Sequence, residues 1–192
     1  MLELIKKLRD ETGCSIGECK KALEKGNGDI EKAKNILSLS AAKTAAKKAA
    51  RQTTEGIIAA YLHSNKKIGV LVELLCETDF VAKNELFYEL AHSIAMHIAA
   101  MAPRYLTIDD APEDVKKALQ IQAEEEVATL GKSSKIAQNI VSGKVHAYFA
   151  AESLLSQPYI KDQDKTVGEL IQEAIGKFGE NIKVHRFIRF EL

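Results

Sequence analysis

Several short stretches of this chain carry side chains able to grip phosphate, hold a metal or move protons, and their spacing decides against each. Gly131-Lys132-Ser133 ends like a phosphate-binding loop, in which glycine amides cradle phosphates and the lysine neutralises them. That loop needs another glycine five positions before Gly131, where Glu126 stands, and it should follow a strand instead of a helix. Gly26-Asn27-Gly28 lacks the third glycine of a dinucleotide fingerprint and lies between helical patterns, so it reads as a turn. No G-x-S-x-G elbow occurs. His92 and His97 are five apart and do not share a helix face as paired metal ligands must. Each reads as a partner-facing or internally satisfied histidine. Glu124-Glu125-Glu126 is a solvated acidic run. The expectation is a non-enzyme with no catalytic residue, no metal site and no cofactor.

One stretch is unusual for a purely structural role: Glu77-Thr78-Asp79-Phe80-Val81-Ala82-Lys83-Asn84. It lies where a buried strand hands over to a helix, a place where side chains project from a rigid scaffold. Asp79 is a good helix N-cap and Phe80 can fold back into a core. On spacing alone, that cap-and-core alternative is favoured over a functional one.

The elements that must position this stretch can be read from periodicity. Leu4, Ile5 and Leu8 share a helical face that Thr12-Gly13 ends. Ser15-Ile16-Gly17-Glu18 has capping-box spacing and opens a second helix with Ile16, Cys19 and Leu23 inward. Asp29 caps a third, with Ile30, Ala33 and Leu37 inward. Residues 40–53 are rich in alanine and lysine and predict a helical connector. Lys43, Lys47 and Arg51 recur along it every four residues, which suits a solvated face or, less readily, a phosphate-binding stripe. From Gly56 the period becomes two. Gly56–His63 and Ile68–Glu77 predict a hairpin, and the second strand is apolar on both faces, as a central strand is. Leu86, Leu90, Ile94 and Ile98 predict a helix before Pro103, and Asp110-Ala111-Pro112-Glu113 opens another that Gly131 ends. One or two helices fill about 134–152, and Thr166-Val167-Gly168-Glu169 caps one reaching about Phe178. The closing strand alternates Ile182, Val184, Arg186, Ile188 and Phe190 against Lys183, His185, Phe187 and Arg189. The fold class expected is α+β: a three-helix module over 1–39, a helical linker over 40–53, and a core over 54–192 of a small antiparallel sheet packed with helices.

Charge supports that division. The net charge is zero, yet residues 1–53 carry 12 Lys and Arg against 7 Asp and Glu, and the remainder 15 against 20. A nucleic-acid-binding domain is usually far more basic overall. The amino terminus has no signal-peptide pattern, and no apolar run approaches the roughly 18 residues of a membrane span. Cys14, Cys19 and Cys76 form no C-x-x-C pair and suit small buried hydrophobes in a reducing compartment, so a cytosolic protein is expected.

These motifs resemble the elongation factor Ts family across essentially the whole chain. Gly13 to Leu23, with Gly28-Asp29-Ile30-Glu31-Lys32-Ala33, is similar to its ubiquitin-associated-type three-helix module. Glu77 to Asn84 is similar to its signature loop. Gln157 to Asp162, Lys165-Thr166-Val167, Gly179-Glu180-Asn181-Ile182 and Arg186 to Glu191 fit as well. Cys14 and Glu18 stand where the family more often has a small apolar residue and Asp. The resemblance implies a guanine-nucleotide exchange factor that binds elongation factor Tu carrying GDP and promotes GDP release. It implies that Asp79 and Phe80, flanked by Thr78 and Val81, enter the partner near its magnesium and phosphate site. Lys20 would dock the amino-terminal module, Phe178 and Gly179 match another contact, and His63 resembles a histidine of the longer members' second half-core. This chain has one hairpin-plus-helices core where longer members have two related halves, so a homodimer is expected. Rival classes are a protein-binding adaptor and a ribosome- or RNA-binding factor.

Overall fold

The computed structural model describes residues 1–129 and 134–192. Gly131-Lys132-Ser133, and the helix stop expected at Gly131, lie outside the described residues. The chain divides into two compact units, Met1–Met96 with Glu169–Leu192, and His97–Gly168.

The first unit opens with helices whose ends follow local chemistry. α1 (Leu2–Thr12) stops where Gly13 adopts a left-handed φ of 68° and its N–H donates to the Arg9 carbonyl at 2.7 Å. α2 (Ile16–Lys25) starts with a reciprocal box in which the Ser15 hydroxyl accepts from the Glu18 N–H and Glu18 accepts from the Ser15 N–H. Asp29 caps α3 (Ile30–Lys48) by accepting the Lys32 N–H at 3.1 Å. Ile5, Leu8, Cys19, Ala22, Leu23 and Ala33 make their shared core. Ile16, expected inward, is exposed, because it overhangs the first turn of the Cys19–Ala22–Leu23 stripe. α3 runs unbroken into the alanine- and lysine-rich stretch, where nothing interrupts good helix formers. The basic stripe does not extend along it: Arg51 lies beyond the helix and pairs with Glu77 at 3.4 Å.

β1 (Glu55–Leu62) and β2 (Ile68–Cys76) form the hairpin, followed by the short α4 (Asp79–Ala82) and α5 (Glu85–Met101). The buried line of α5 in this unit is Phe87, Ala91, Ile94 and Ala95, with Leu86 exposed and Leu90 half-buried. Of the expected stripe, Ile94 and Ile98 are buried and only the first position shifts, from Leu86 to Phe87, which meets Phe178 edge-to-face at 6.0 Å.

In the second unit α6 (Glu113–Ala128) and α7 (Ser134–Glu152), a single helix, bury Ala123, Val127 and Val141 between them. β3 (Pro158–Tyr159) and β4 (Asp162–Thr166) make a two-stranded ladder that their polar sequence does not foretell. His97 is buried here. Its Nδ1 accepts the Ile160 N–H at 3.2 Å, so its proton sits on Nε2 and is donated to Gln157 Oε1 at 2.9 Å. Gln157 in turn donates to the Ala151 carbonyl at 2.7 Å. Burial pushes the His97 pKa down.

α8 (Val167–Phe178) and β5 (Lys183–Glu191) return to the first unit and complete a sheet of order β1-β2-β5, antiparallel throughout. Ala59, Val70, Val72, Leu74 and Val184 line its buried face, and Tyr61 on that face meets His92 of α5 at 5.7 Å. The alternation expected for β5 breaks at a bulge: Val184 pairs with Leu74 and Arg186 with Glu73, leaving His185 unmatched. Beyond it Phe187 turns inward, while Ile188 and Phe190 join Ile58, Leu62 and Leu71 on the outer face, all of them exposed.

Candidate functional site

The loop that follows β2 is short and tightly specified. Cys76, the last residue of the strand, is buried, and its thiol donates to the Thr78 carbonyl at 3.2 Å. Burial, then the nearby Glu180 carboxylate, pushes that thiol up to about 11. It is held protonated and inert. The helix N-cap is Thr78, not Asp79, and its side chain makes no capping bond. Asp79 is the first helical residue and its carboxylate meets Lys83 at 2.7 Å. The lysine lowers the Asp79 pKa, and Asp79 raises that of Lys83. Both groups are solvent-exposed, so their pairing orients the tip more than it stabilises the fold.

Val81 is buried and anchors the turn from below. Phe80, one residue earlier, is 83% exposed. A four-residue helical turn cannot bury both side chains on one side, and Val81 takes the inward position. Phe80 therefore does not fold back as a core residue. An aromatic ring held this far into water, on backbone pinned by its neighbour, has no role in the unit's own core.

The remaining sequence-identified residues are spread over the first unit. Phe178 and Gly179 end α8, where Gly179 takes a left-handed φ of 73° and its N–H donates to the Ile175 carbonyl. This turn abuts the signature loop. The next residue, Glu180, accepts hydrogen bonds from Thr78 Oγ1 at 2.6 Å, from the Thr78 N–H at 3.0 Å and from the Glu77 N–H at 3.1 Å. Glu77 returns the bond, accepting the Asn181 N–H at 2.6 Å. That N–H, followed by Arg51, holds the Glu77 pKa below the usual carboxylate range. Asn181 Nδ2 donates to the Arg51 carbonyl at 3.0 Å, and Lys48 donates to the Gly179 carbonyl. Thr78, Gly179 and the end of α3 thus meet in one network. Lys20 lies exposed on α2, beside Glu24 at 3.9 Å. His63 closes the β1–β2 turn, with Tyr61 Oη 3.1 Å from its Nδ1. Among the described residues no hydrogen bond or ion pair joins Lys20 or His63 to the tip.

Glu77, Glu180 and Asn181 had no place among the sequence-predicted site residues. Their signal was present in part: Glu180 follows a glycine where a helix turns into a strand, and a carboxylate there can accept free amide N–H groups. Which amides it would bind lies beyond any local pattern.

Residues 31–192 match the family model described as elongation factor TS. The chain belongs to the elongation factor Ts family. It is 50% identical over 188 residues to elongation factor Ts of Thermosipho melanesiensis, covering 98% of this chain and 96% of that one. It is 49% identical to the Thermotoga maritima protein of that name, covering 100% and 95%, and 46% identical to that of Carboxydothermus hydrogenoformans, covering 99% and 88%. The matched residues include the Glu77–Asn84 loop, whose Phe80 stands exposed on a braced turn. Among the described residues no group of three potential metal ligands occurs, and no helix is long and apolar enough to cross a membrane.

Proposed function

We propose that this chain is a guanine-nucleotide exchange factor for elongation factor Tu, acting in the cytosol as a binding protein and not as an enzyme. The observation that carries this proposal is the exposed Phe80 on an anchored turn, within a chain of the elongation factor Ts family. A guanine nucleotide is held by backbone amides around its phosphates and by a magnesium ion bridging them. A second protein loosens that grip only by binding the nucleotide-free state more tightly than the loaded one. Phe80 wedges between elements of the partner near its magnesium and phosphate site, and Asp79, paired with Lys83, orients the wedge. By linkage, the factor weakens GDP binding to the same degree that GDP weakens binding of the factor.

The other contacts follow from position. The module of residues 1–39 docks through Lys20, with residues 40–53, helical as far as Lys48, as its linker and 54–192 as the core. Phe178, Gly179 and His63 make secondary contacts. Two copies associate about a two-fold axis through the outer sheet face of Ile58, Leu62, Leu71, Ile188 and Phe190. A pair of chains then offers a double surface, held by apolar burial without a disulfide. The test is release of labelled GDP from elongation factor Tu with and without this protein. Acceleration at substoichiometric amounts is expected, and an unchanged rate at excess would refute the proposal.

A further inference from the structure

We infer that Glu180 is a positioning residue for exchange: its carboxylate holds the strand-to-helix loop so that Phe80 is presented in one orientation. The inference rests on the role proposed for Phe80 and adds to it a residue that touches no nucleotide or magnesium ion.

The geometry points to Glu180 because Phe80 cannot hold itself. Its ring is almost wholly in water, so its direction is set by the backbone from Glu77 to Val81. Val81 fixes the far end of that segment by burial. The near end contains two amides, Glu77 N–H and Thr78 N–H, that lie past the paired length of β2 and before the first turn of α4. Neither ladder nor helix can satisfy them. One oxygen of Glu180 accepts both, at 3.1 and 3.0 Å, and the other accepts the Thr78 hydroxyl at 2.6 Å. The threonine hydroxyl is thereby drawn away from capping α4.

The brace is reciprocal. Glu77 binds the Asn181 N–H, so each acid satisfies the backbone beside the other across two connections of the chain. Asn181 is 5% exposed and donates to the carbonyls of Ala49 and Arg51, at 3.4 and 3.0 Å, tying the brace to the residues just beyond α3. Hydrogen bonds to an ionised acceptor are the stronger kind, and several from one carboxylate restrict direction as well as distance. Losing them leaves the tip tethered by Val81 but free to rotate, and only a fraction of its conformers then match the partner.

The experiment is a double-mutant cycle between Glu180→Ala and Phe80→Ala, read as labelled GDP release from elongation factor Tu. Alone, Glu180→Ala should lower the release rate at subsaturating factor about 5-fold, as expected if the tip is competent roughly a fifth of the time. In the Phe80→Ala background it should have no further effect, since nothing remains to be positioned. Glu180→Gln, which keeps an acceptor oxygen, should recover part of the rate. Amide hydrogen exchange at Glu77 and Thr78, measured without partner, should speed up in Glu180→Ala while the amides of β2 stay protected. A parental release rate for Glu180→Ala beside a slow Phe80→Ala overturns the positioning role and leaves the wedge intact. Equal losses in both backgrounds overturn it too, and assign Glu180 to general folding. A parental rate for Phe80→Ala instead sinks the wedge, and the positioning role with it.

Discussion

Phe80 and the outer face of the three-stranded sheet both expose apolar side chains, the face around a Glu73–Arg186 ion pair at 2.6 Å, yet they are built on different terms. Phe80 is a single ring on a four-residue turn, pinned by the buried Val81 below and the Glu180 carboxylate behind. The sheet face spreads Ile58, Leu62, Leu71, Ile188 and Phe190 over three strands whose ladder hydrogen bonds fix their spacing. One ring offers a small area in a fixed direction, which suits the transient contact proposed for Phe80. A broad flat patch offers area without direction, which suits a contact that persists. Exposure alone therefore does not tell the two surfaces apart; the breadth and bracing of the supporting backbone do.

The largest effect should come from removing the wedge. Burying a phenylalanine contributes about 1.5–3 kcal/mol, and about 1.4 kcal/mol corresponds to a factor of ten. Phe80→Ala should therefore slow GDP release from elongation factor Tu on the order of 10- to 100-fold. It should melt at the parental temperature and leave the association state unchanged, because the ring belongs to neither core nor sheet. A change of association state in this variant would merge the two surfaces that the comparison separates.

The converse test acts on the sheet. Ile188→Lys places a charge on the outer face beside Leu71, and the proposed two-fold pairing would repeat it in the second copy. Sedimentation should show the dimer weakened by about 10-fold or more, from desolvating an unpaired charge in an apolar interface. Single-turnover exchange per chain should fall less than in Phe80→Ala. Parental sedimentation at every concentration would count against the sheet as the contact.

A smaller effect should appear at the brace. Glu77→Gln removes a charged acceptor that is worth about 1 kcal/mol as a hydrogen bond, which corresponds to a Tm lowered by about 2–4 °C in a chain of this size. The folded pKa of Glu77 is lowered, so the unfolded state binds the more protons and the contribution is present above the ordinary carboxylate value of about 4.3. It is lost as pH falls through the lowered folded value. Calorimetry at neutral pH and again near pH 3 should show the Tm difference shrinking, and a constant difference would break the assignment.

The smallest expected effect lies in a unit that carries neither surface. His97 is neutral and buried, and its folded pKa is lowered, so protonation favours the unfolded state. Its contribution is complete above the ordinary histidine value of about 6.5 and fades as pH falls toward the folded value. Wild-type stability should decline modestly from pH 7 to 5, and His97→Asn, less stable throughout, should show a flatter profile. GDP release by the wild type should not follow that decline.

Much of this chain was decided locally. The Gly13 stop, the Ser15–Glu18 box and the Asp29 cap each act within five residues of chain, and each formed as its spacing requires. The two-faced apolar pattern of β2 agrees with its central place in the order β1-β2-β5, although Leu71 on its outer face lies exposed. The handover at Glu77–Asn84 was legible for the same reason: a period of two gives way to a period of 3.6. Tertiary structure decided the rest. Local propensity allowed Phe80 to turn in or out, and competition with Val81 for one buried position turned it out. The bulge at His185 moved Ile188 and Phe190 to the open face, since its cost is set by pairing with β2 and not by the strand's own residues. Glu180 reaches Thr78 across 102 positions of sequence. No periodicity links residues so far apart, because a hydrogen bond between two turns depends on where the sheet closes, and that is known only once β5 has docked on β2.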